Sequence, residues 1–279
     1  DFMRKVAAQK LEPGKKSDAF YNAGISGEYT FHAGDKFSSI VGLRGDWFNG
    51  EGFKAVPRLT LKYSPLEQIV LRANGGRGLR RALPVIDNIG VLSTGKSFIG
   101  AYSEHLLEDA WTFGGNATFY LPFGASDDTY LSFDYFGTRF AEQMVVDYEH
   151  GLNAIDFYAL GGKRSFSDNY QIDFNVEAFR RFTVSATFRY TDAKVELEGR
   201  GLVERPMTSR YKGVLNLQYA TNLNKWIFDF TASVNGKARV YEFMKDLRGD
   251  DGKLLYAAGY TPAYPLLYLQ VTKRFKGVD

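Results

Sequence analysis

Asn169-Tyr170-Gln171-Ile172-Asp173-Phe174-Asn175-Val176-Glu177-Ala178 switches between polar and apolar at every step. Phe182-Thr183-Val184-Ser185-Ala186-Thr187-Phe188-Arg189-Tyr190-Thr191 does the same a few residues later. Side chains of a β-strand point to alternate faces, so each stretch has one apolar and one polar face. Phe179-Arg180-Arg181 lies between them, and a link this short joins two strands only as a hairpin.

Working outward, the same alternation covers the chain. Apolar faces fall on Ala23/Ile25/Gly27/Tyr29/Phe31, Val41/Leu43/Gly45/Trp47, Leu59/Leu61/Tyr63 and Ile69/Leu71/Ala73. They continue on Phe113/Gly115/Ala117/Phe119/Leu121, Leu131/Phe133/Tyr135, Leu215/Leu217/Tyr219, Trp226/Phe228/Phe230/Ala232 and Leu267/Leu269/Val271. The pattern predicts about eleven strands. The longest are expected over Asp128 to Asp147, Ala154 to Glu177 and Lys225 to Val240. Composition agrees: 16% of the 279 residues are aromatic and 29 are glycine, which suits pleated sheet with bulges and turns.

Several function classes are excluded. With no cysteine there is neither a disulfide framework nor a thiolate metal site. A net charge of +3, scattered among acids, offers no phosphate-tracking stripe for nucleic acid. No apolar run reaches the roughly 18 residues of a membrane-crossing helix. Alternating strands cross membranes without such runs, and the mean hydropathy of −0.28 fits them. Asp1-Phe2-Met3-Arg4-Lys5 has no apolar signal region, so an exported protein is expected to start upstream of it.

The links sort by length. Short ones are expected at His32–Asp35, Ser64–Glu67, Pro122–Asp127, Phe179–Arg181 and Thr221–Asn224. Long ones are expected at Asn49–Lys54, Gly78–Asp109, Tyr148–Asn153, Asp192–Met207 and Tyr241–Thr261. Short turns at one end and long loops at the other characterise an outer-membrane barrel, with the long loops outside the cell. Tyr29, Phe31, Trp47, Tyr63, Phe113, Tyr219 and Trp226 fall toward strand ends, where aromatic girdles meet the membrane interfaces. The fold class is therefore all-β, a transmembrane antiparallel up-and-down β-barrel. The competing reading is a soluble β-sandwich, whose core takes the same residues.

Val56-Pro57-Arg58-Leu59-Thr60-Leu61-Lys62-Tyr63, Val70-Leu71-Arg72-Ala73-Asn74-Gly75-Gly76-Arg77-Gly78-Leu79-Arg80 and Leu106-Leu107-Glu108-Asp109-Ala110-Trp111 resemble strands of the TonB-dependent outer-membrane receptor family. The last departs from the family's usual Pro-Glu-Lys at Leu107-Glu108-Asp109. The hairpin Ala178-Phe179-Arg180-Arg181-Phe182 also resembles a periplasmic turn of that family. The resemblance covers Ala23 to Lys276 and implies the C-terminal part of a barrel of roughly 22 strands. Residues 1–279 are then one partial barrel domain. The N-terminal plug, the first strands and a last pair of strands are expected to lie outside this sequence.

What the resemblance implies for function is TonB-dependent active transport of a scarce large nutrient across the bacterial outer membrane. Ferric siderophores, haem and cobalamin are candidate cargoes. The partners implied are outer-membrane lipid, the ligand, and the periplasmic TonB energy-coupling protein reached through a region outside this chain. A surface lipoprotein is left open. A passive porin is the alternative.

No enzyme is expected. His32, His105 and His150 fall in turns and loops, and none stands on a strand beside a serine, as nucleophilic catalysis requires. No cofactor or resident metal is called for. Gly75-Gly76-Arg77-Gly78 lacks either phosphate-loop spacing and reads as a strand top bending into a loop. Arg248-Gly249-Asp250-Asp251-Gly252 reads as a solvated turn, since the EF-hand spacing is absent. Ligand contacts belong in the long outer loops. The candidates are Arg77, Arg80 and Arg81, whose guanidinium groups suit an anion, with Tyr102, His105, Tyr241 and Phe243 beside them.

Overall fold

The computed structural model describes residues 20–101, 104–151 and 153–275. Its main sheet is antiparallel throughout. It runs β1 (Asn22–Ala33), β2 (Phe37–Phe48), β3 (Gly52–Leu66), β4 (Ile69–Arg81), β6 (Leu107–Tyr120), β7 (Tyr130–Glu142), β10 (Ser165–Phe179), β11 (Phe182–Leu197), β13 (Tyr211–Ala220), β14 (Trp226–Asn235) and β15 (Tyr264–Lys273). Neighbours in this order follow one another along the chain, which makes an up-and-down meander. Two-residue β-strand periodicity then requires one face of the whole sheet to be apolar.

The register bears this out. Tyr63↔Leu71, Leu71↔Ala117, Ala117↔Phe133, Phe133↔Ile172 and Ile172↔Phe188 put the apolar sets of six neighbouring strands on one side. Leu215↔Ala232 and Ala232↔Leu267 carry the face to β15. No described residue covers it: Ile25 is 81% exposed and Leu269 75%. A soluble sandwich buries such a face against a second sheet. A continuous apolar surface of this extent instead needs lipid. Near one end of it Arg139 lies between the Phe113 and Phe166 rings and pairs with Asp168 at 2.9 Å.

The opposite face is a hydrogen-bonded polar ladder. Arg72 donates to Asn116 Oδ1 at 3.0 Å, and Asn116 Nδ2 donates to Ser132 and Asp134 at 2.8 and 2.7 Å. Thr187 donates to Asp173 at 2.6 Å, Ser185 to Asn175 at 2.7 Å and Asn216 to Thr231 at 2.8 Å. Glu28 pairs with Arg58 across β2 at 2.6 Å.

The links sort by end with one exception. Residues 34–36, 67–68, 121–129, 180–181 and 221–225 connect strands at one end, and 82–106, 143–164, 198–210 and 236–263 at the other. The expected long link Asn49–Lys54 is only a turn over 49–51, because β3 starts at Gly52 and pairs from there with Phe48. The three longest expected strands are also shorter. The stretch from Asp128 divides into β7 and a separate β8 (Met144–Asp147), and that from Ala154 into β9 (Ala154–Ala159) and β10. The chain leaves the sheet at Gln143 and re-enters at Ser165, whose hydroxyl donates to Gln143 Oε1 at 2.7 Å. Leu160 is fully buried, and Gly161 and Gly162 take positive φ to turn the chain back. The third, from Lys225, is β14, which ends at Asn235.

Candidate functional site

The long links converge at the end opposite the short turns. Two of them supply a small second sheet: β5 (Ser97–Gly100) from 82–106, and β8 and β9 from 143–164, in the order β5-β9-β8. This cap holds Ile155 and Phe157, both at 0% exposure. They pack with Ala82, Phe98 and Met144. A second cluster joins Val145 and Leu160 to Leu197, with Phe140 and Val195 against it. Phe140, Val195 and Leu197 share the polar face's parity, so the cap folds over that face. Burying each large apolar side chain contributes about 1.5–3 kcal/mol, which makes the cap a packed unit.

Its polar edge is a charge clamp. Glu149, in the turn after β8, receives Arg239 Nη1 and Nη2 at 3.0 and 2.6 Å. It also accepts Arg200 Nη1 at 3.1 Å and the Glu242 amide at 2.6 Å. Arg200 reaches Asp147 as well. Arg200 stands between β11 and β12 (Gly201–Glu204), and Arg239 follows β14, so one carboxylate ties three loops. Burial pushes the Glu149 carboxyl up, but Arg239, the Glu242 amide and Arg200 outweigh it and hold its pKa below the ordinary carboxylate value.

Beneath the cap lies a cavity of about 650 Å³. Its wall includes Arg80, Asp87, Asn88, Glu108, Asp147, Tyr148, Glu149, Lys194, Arg205 and Tyr241. That volume suits a small-molecule ligand. Burial raises the pKa of the Tyr148 and Tyr241 phenols, and Arg205 pulls both back. Tyr148 donates to Asn88 Oδ1 at 2.9 Å. Tyr241 stacks on Phe243 at 5.4 Å, and Lys96 Nζ sits 4.4 Å above the Phe243 ring.

The arginines expected in a loop stand on β4, which continues through the glycines to Arg81 because β6 pairs with it as far as Leu107. Arg80 lines the cavity but is held by Glu108 at 2.8 Å and Asp87 at 3.1 Å. Arg77 has the opposite parity and pairs with Asp109 at 2.6 Å. Arg81 donates to the His105 and Asn49 carbonyls and lies over Phe20. His105 packs edge-on against Phe20, with its Nδ1 buried and unpartnered. Tyr102 lies outside the described residues. His150 Nδ1 is 3.3 Å from Asp156. Arg248 to Gly252 form a tight exposed turn, closed by an Arg248↔Leu254 bridge. No group of three metal-ligating side chains occurs among the described residues. Sequence reading missed Glu149, Arg200, Arg205 and Tyr148. None carries a local motif, and only the fold brings them together.

Solved structures match this architecture. A variant of the ferric enterobactin receptor PfeA of Pseudomonas aeruginosa superposes with a TM-score of 0.64 at 13% identity, over 96% of this chain and 40% of that one. The chain has the fold of a siderophore-receptor barrel. The siderophore receptor PirA of Acinetobacter baumannii gives 0.64 at 11% identity, over 92% and 40%. The FrpB iron transporter of Neisseria meningitidis gives 0.63 at 12%, over 92% and 39%. The chain thus spans about 40% of the length of the chains it matches. No protein-family model matches the sequence. No curated protein does either. In a barrel of this fold, the apolar face is the lipid side, the polar ladder lines the lumen, and the cap sits at its mouth.

Proposed function

We propose that this barrel belongs to a TonB-dependent receptor of a bacterial outer membrane, which takes up a scarce large nutrient, first among them a ferric siderophore. The observation that carries the reading is the cap: loops ordered into a sheet fold over the lumen face and enclose a cavity at its mouth. A passive pore has no use for a packed loop cluster there, whereas a receptor that captures a dilute ligand gains from a preorganised site. Capture in the cavity, then movement through the lumen, is the sequence of events the geometry favours. The energy for the second step comes from the periplasmic TonB protein acting on parts of the receptor outside this chain.

The test is uptake of radiolabelled ferric siderophore by cells expressing the full-length protein, with and without the TonB protein. Accumulation that depends on both supports the reading. Uptake that persists without TonB, together with rapid solute entry into liposomes bearing the protein, overturns it in favour of a diffusion channel.

A further inference from the structure

One rung of cross-strand partners on the polar face carries charge without balance. Lys62 on β3 stands directly opposite Arg72 on β4, and Arg189 on β11 directly opposite Lys212 on β13. The rung is unbroken between the two pairs, from Arg72 through Asn116, Asp134 and Gln171 to Arg189. Like charges directly opposite on a sheet repel. Elsewhere on this face such charges are matched: Arg58 pairs with Glu28 at 2.6 Å and Arg44 with Asp46 at 2.8 Å. Here they are not. Lys62, Arg189 and Lys212 make no side-chain hydrogen bond or ion pair with any described residue, and Arg72 donates to the neutral Asn116. Asp134, the one carboxylate on this stretch of the rung, accepts from Asn116 and Ser132 at 2.7 and 3.0 Å. Asp173, next to it on β10, accepts from Gln171 and Thr187.

The rung also climbs. Lys62 and Arg72 lie toward the short-turn ends of β3 and β4, Arg189 lies mid-strand, and Lys212 stands at the long-loop end of β13. With neighbouring strands about 4.8 Å apart, the two pairs are roughly 20 Å apart along the wall. We infer that they are successive stations for a cargo bearing several oxyanion groups, one near the mouth and one deep in the lumen. This rests on the reading of the lumen as the transport path, and adds the charge of the cargo and the side of the wall it follows. A multivalent anion bridging two opposed cations relieves their repulsion. A wall lined by one sign of charge concentrates counter-ions along it. All four side chains are exposed, so each station holds an anion weakly. Passage requires that weakness, since an ion must leave each site for the next. A fixed acid would meet the row at one height, whereas cations at two heights suit an occupant that moves.

The experiment is equilibrium dialysis of radiolabelled citrate, a trianion, against the full-length protein in detergent at low salt. The wild type is expected to bind citrate, and to bind less as salt is raised. One double variant carries Lys62→Gln and Arg72→Gln, the other Arg189→Gln and Lys212→Gln. Each is expected to bind about half as much citrate as the wild type below saturation, and the variant with all four changes almost none, because sites this far apart act independently. Lys36→Gln, in the turn between β1 and β2 and off the rung, should change nothing. Binding that the four changes leave intact, or that one pair alone carries, overturns the path, as does a wild type that binds no citrate. A lower melting temperature in either double variant also overturns it, since acids of the receptor itself would then already neutralise that pair. In each of these cases TonB-dependent uptake can persist, and the receptor reading stands without the path. Uptake independent of TonB, with citrate binding intact, removes the receptor and leaves the path in a diffusion channel.

Discussion

The guanidinium of Arg239 donates two hydrogen bonds to the carboxylate of Glu149, ninety residues earlier, at 3.0 and 2.6 Å. Sequence separation of this order makes the contact a property of the assembled loops, not of either segment. Both partners are shielded, with 12% of the Arg239 side chain and 2% of Glu149 exposed. Breaking one member of a buried pair leaves the other uncompensated, at a cost of roughly 3–5 kcal/mol. Glu149→Gln is therefore expected to loosen the cap. Amide hydrogen exchange should quicken over 143–164 and 236–263 and stay unchanged in β6, β7 and β10.

The same clamp sets a pH dependence. Glu149 has a folded-state pKa below its unfolded value. Its stabilisation is thus fully present above the unfolded carboxylate value of about 4.3 and is lost as pH falls through the lower folded value. Proteolytic resistance of the outer loops should be flat from neutral pH down to about 5 and fail only below about 4. In Glu149→Gln that acid-dependent loss should shrink.

The cap's apolar centre gives a third expectation. Phe157 is fully buried against Phe98, their rings 5.5 Å apart. Phe157→Ala should cost about 3–5 kcal/mol of cap stability. Since the cap is a sheet separate from the barrel wall, heat-modifiable gel migration of the folded barrel should survive while the outer loops become protease-sensitive.

Face assignment can be checked by charge. Ile172 sits mid-strand on the apolar face, opposite Phe133 and Phe188. Ile172→Arg should destabilise the barrel in lipid by about 2–4 kcal/mol. Asn216→Arg, on the lumen face, should stay within about 1 kcal/mol. Equal losses at the two positions would mean that the faces are not in different solvents.

Much of the wall was legible in the sequence because a period of two is a local property. Tyr170, Ile172, Phe174 and Val176 declare their face without reference to any other strand. The cap was not legible. Met144–Asp147 and Ala154–Ala159 are short apolar runs contiguous with β7 and β10, and nothing local marks where the chain leaves one sheet for another. That break is tertiary, set by the burial of Leu160 and the Gln143–Ser165 bond. The candidate arginines were found as residue types but misplaced. Arg77, Arg80 and Arg81 look like loop charges only while their partners Asp109 and Glu108 on β6 are unseen.

The central claim is that the chain crosses an outer membrane with its long loops outside, and labelling tests it most directly. Residues 1–279 contain no cysteine, so a single cysteine introduced here is the one thiol of this stretch, and any elsewhere in the full-length protein are first replaced by serine. In the full-length protein, Asp250→Cys lies in the exposed outer turn and Leu223→Cys in a short turn at the other end, where Leu223 is 85% exposed. A membrane-impermeant maleimide should label Asp250→Cys in intact cells, and Leu223→Cys only after the outer membrane is permeabilised. Labelling of both in intact cells, or of Leu223→Cys alone, would contradict the account.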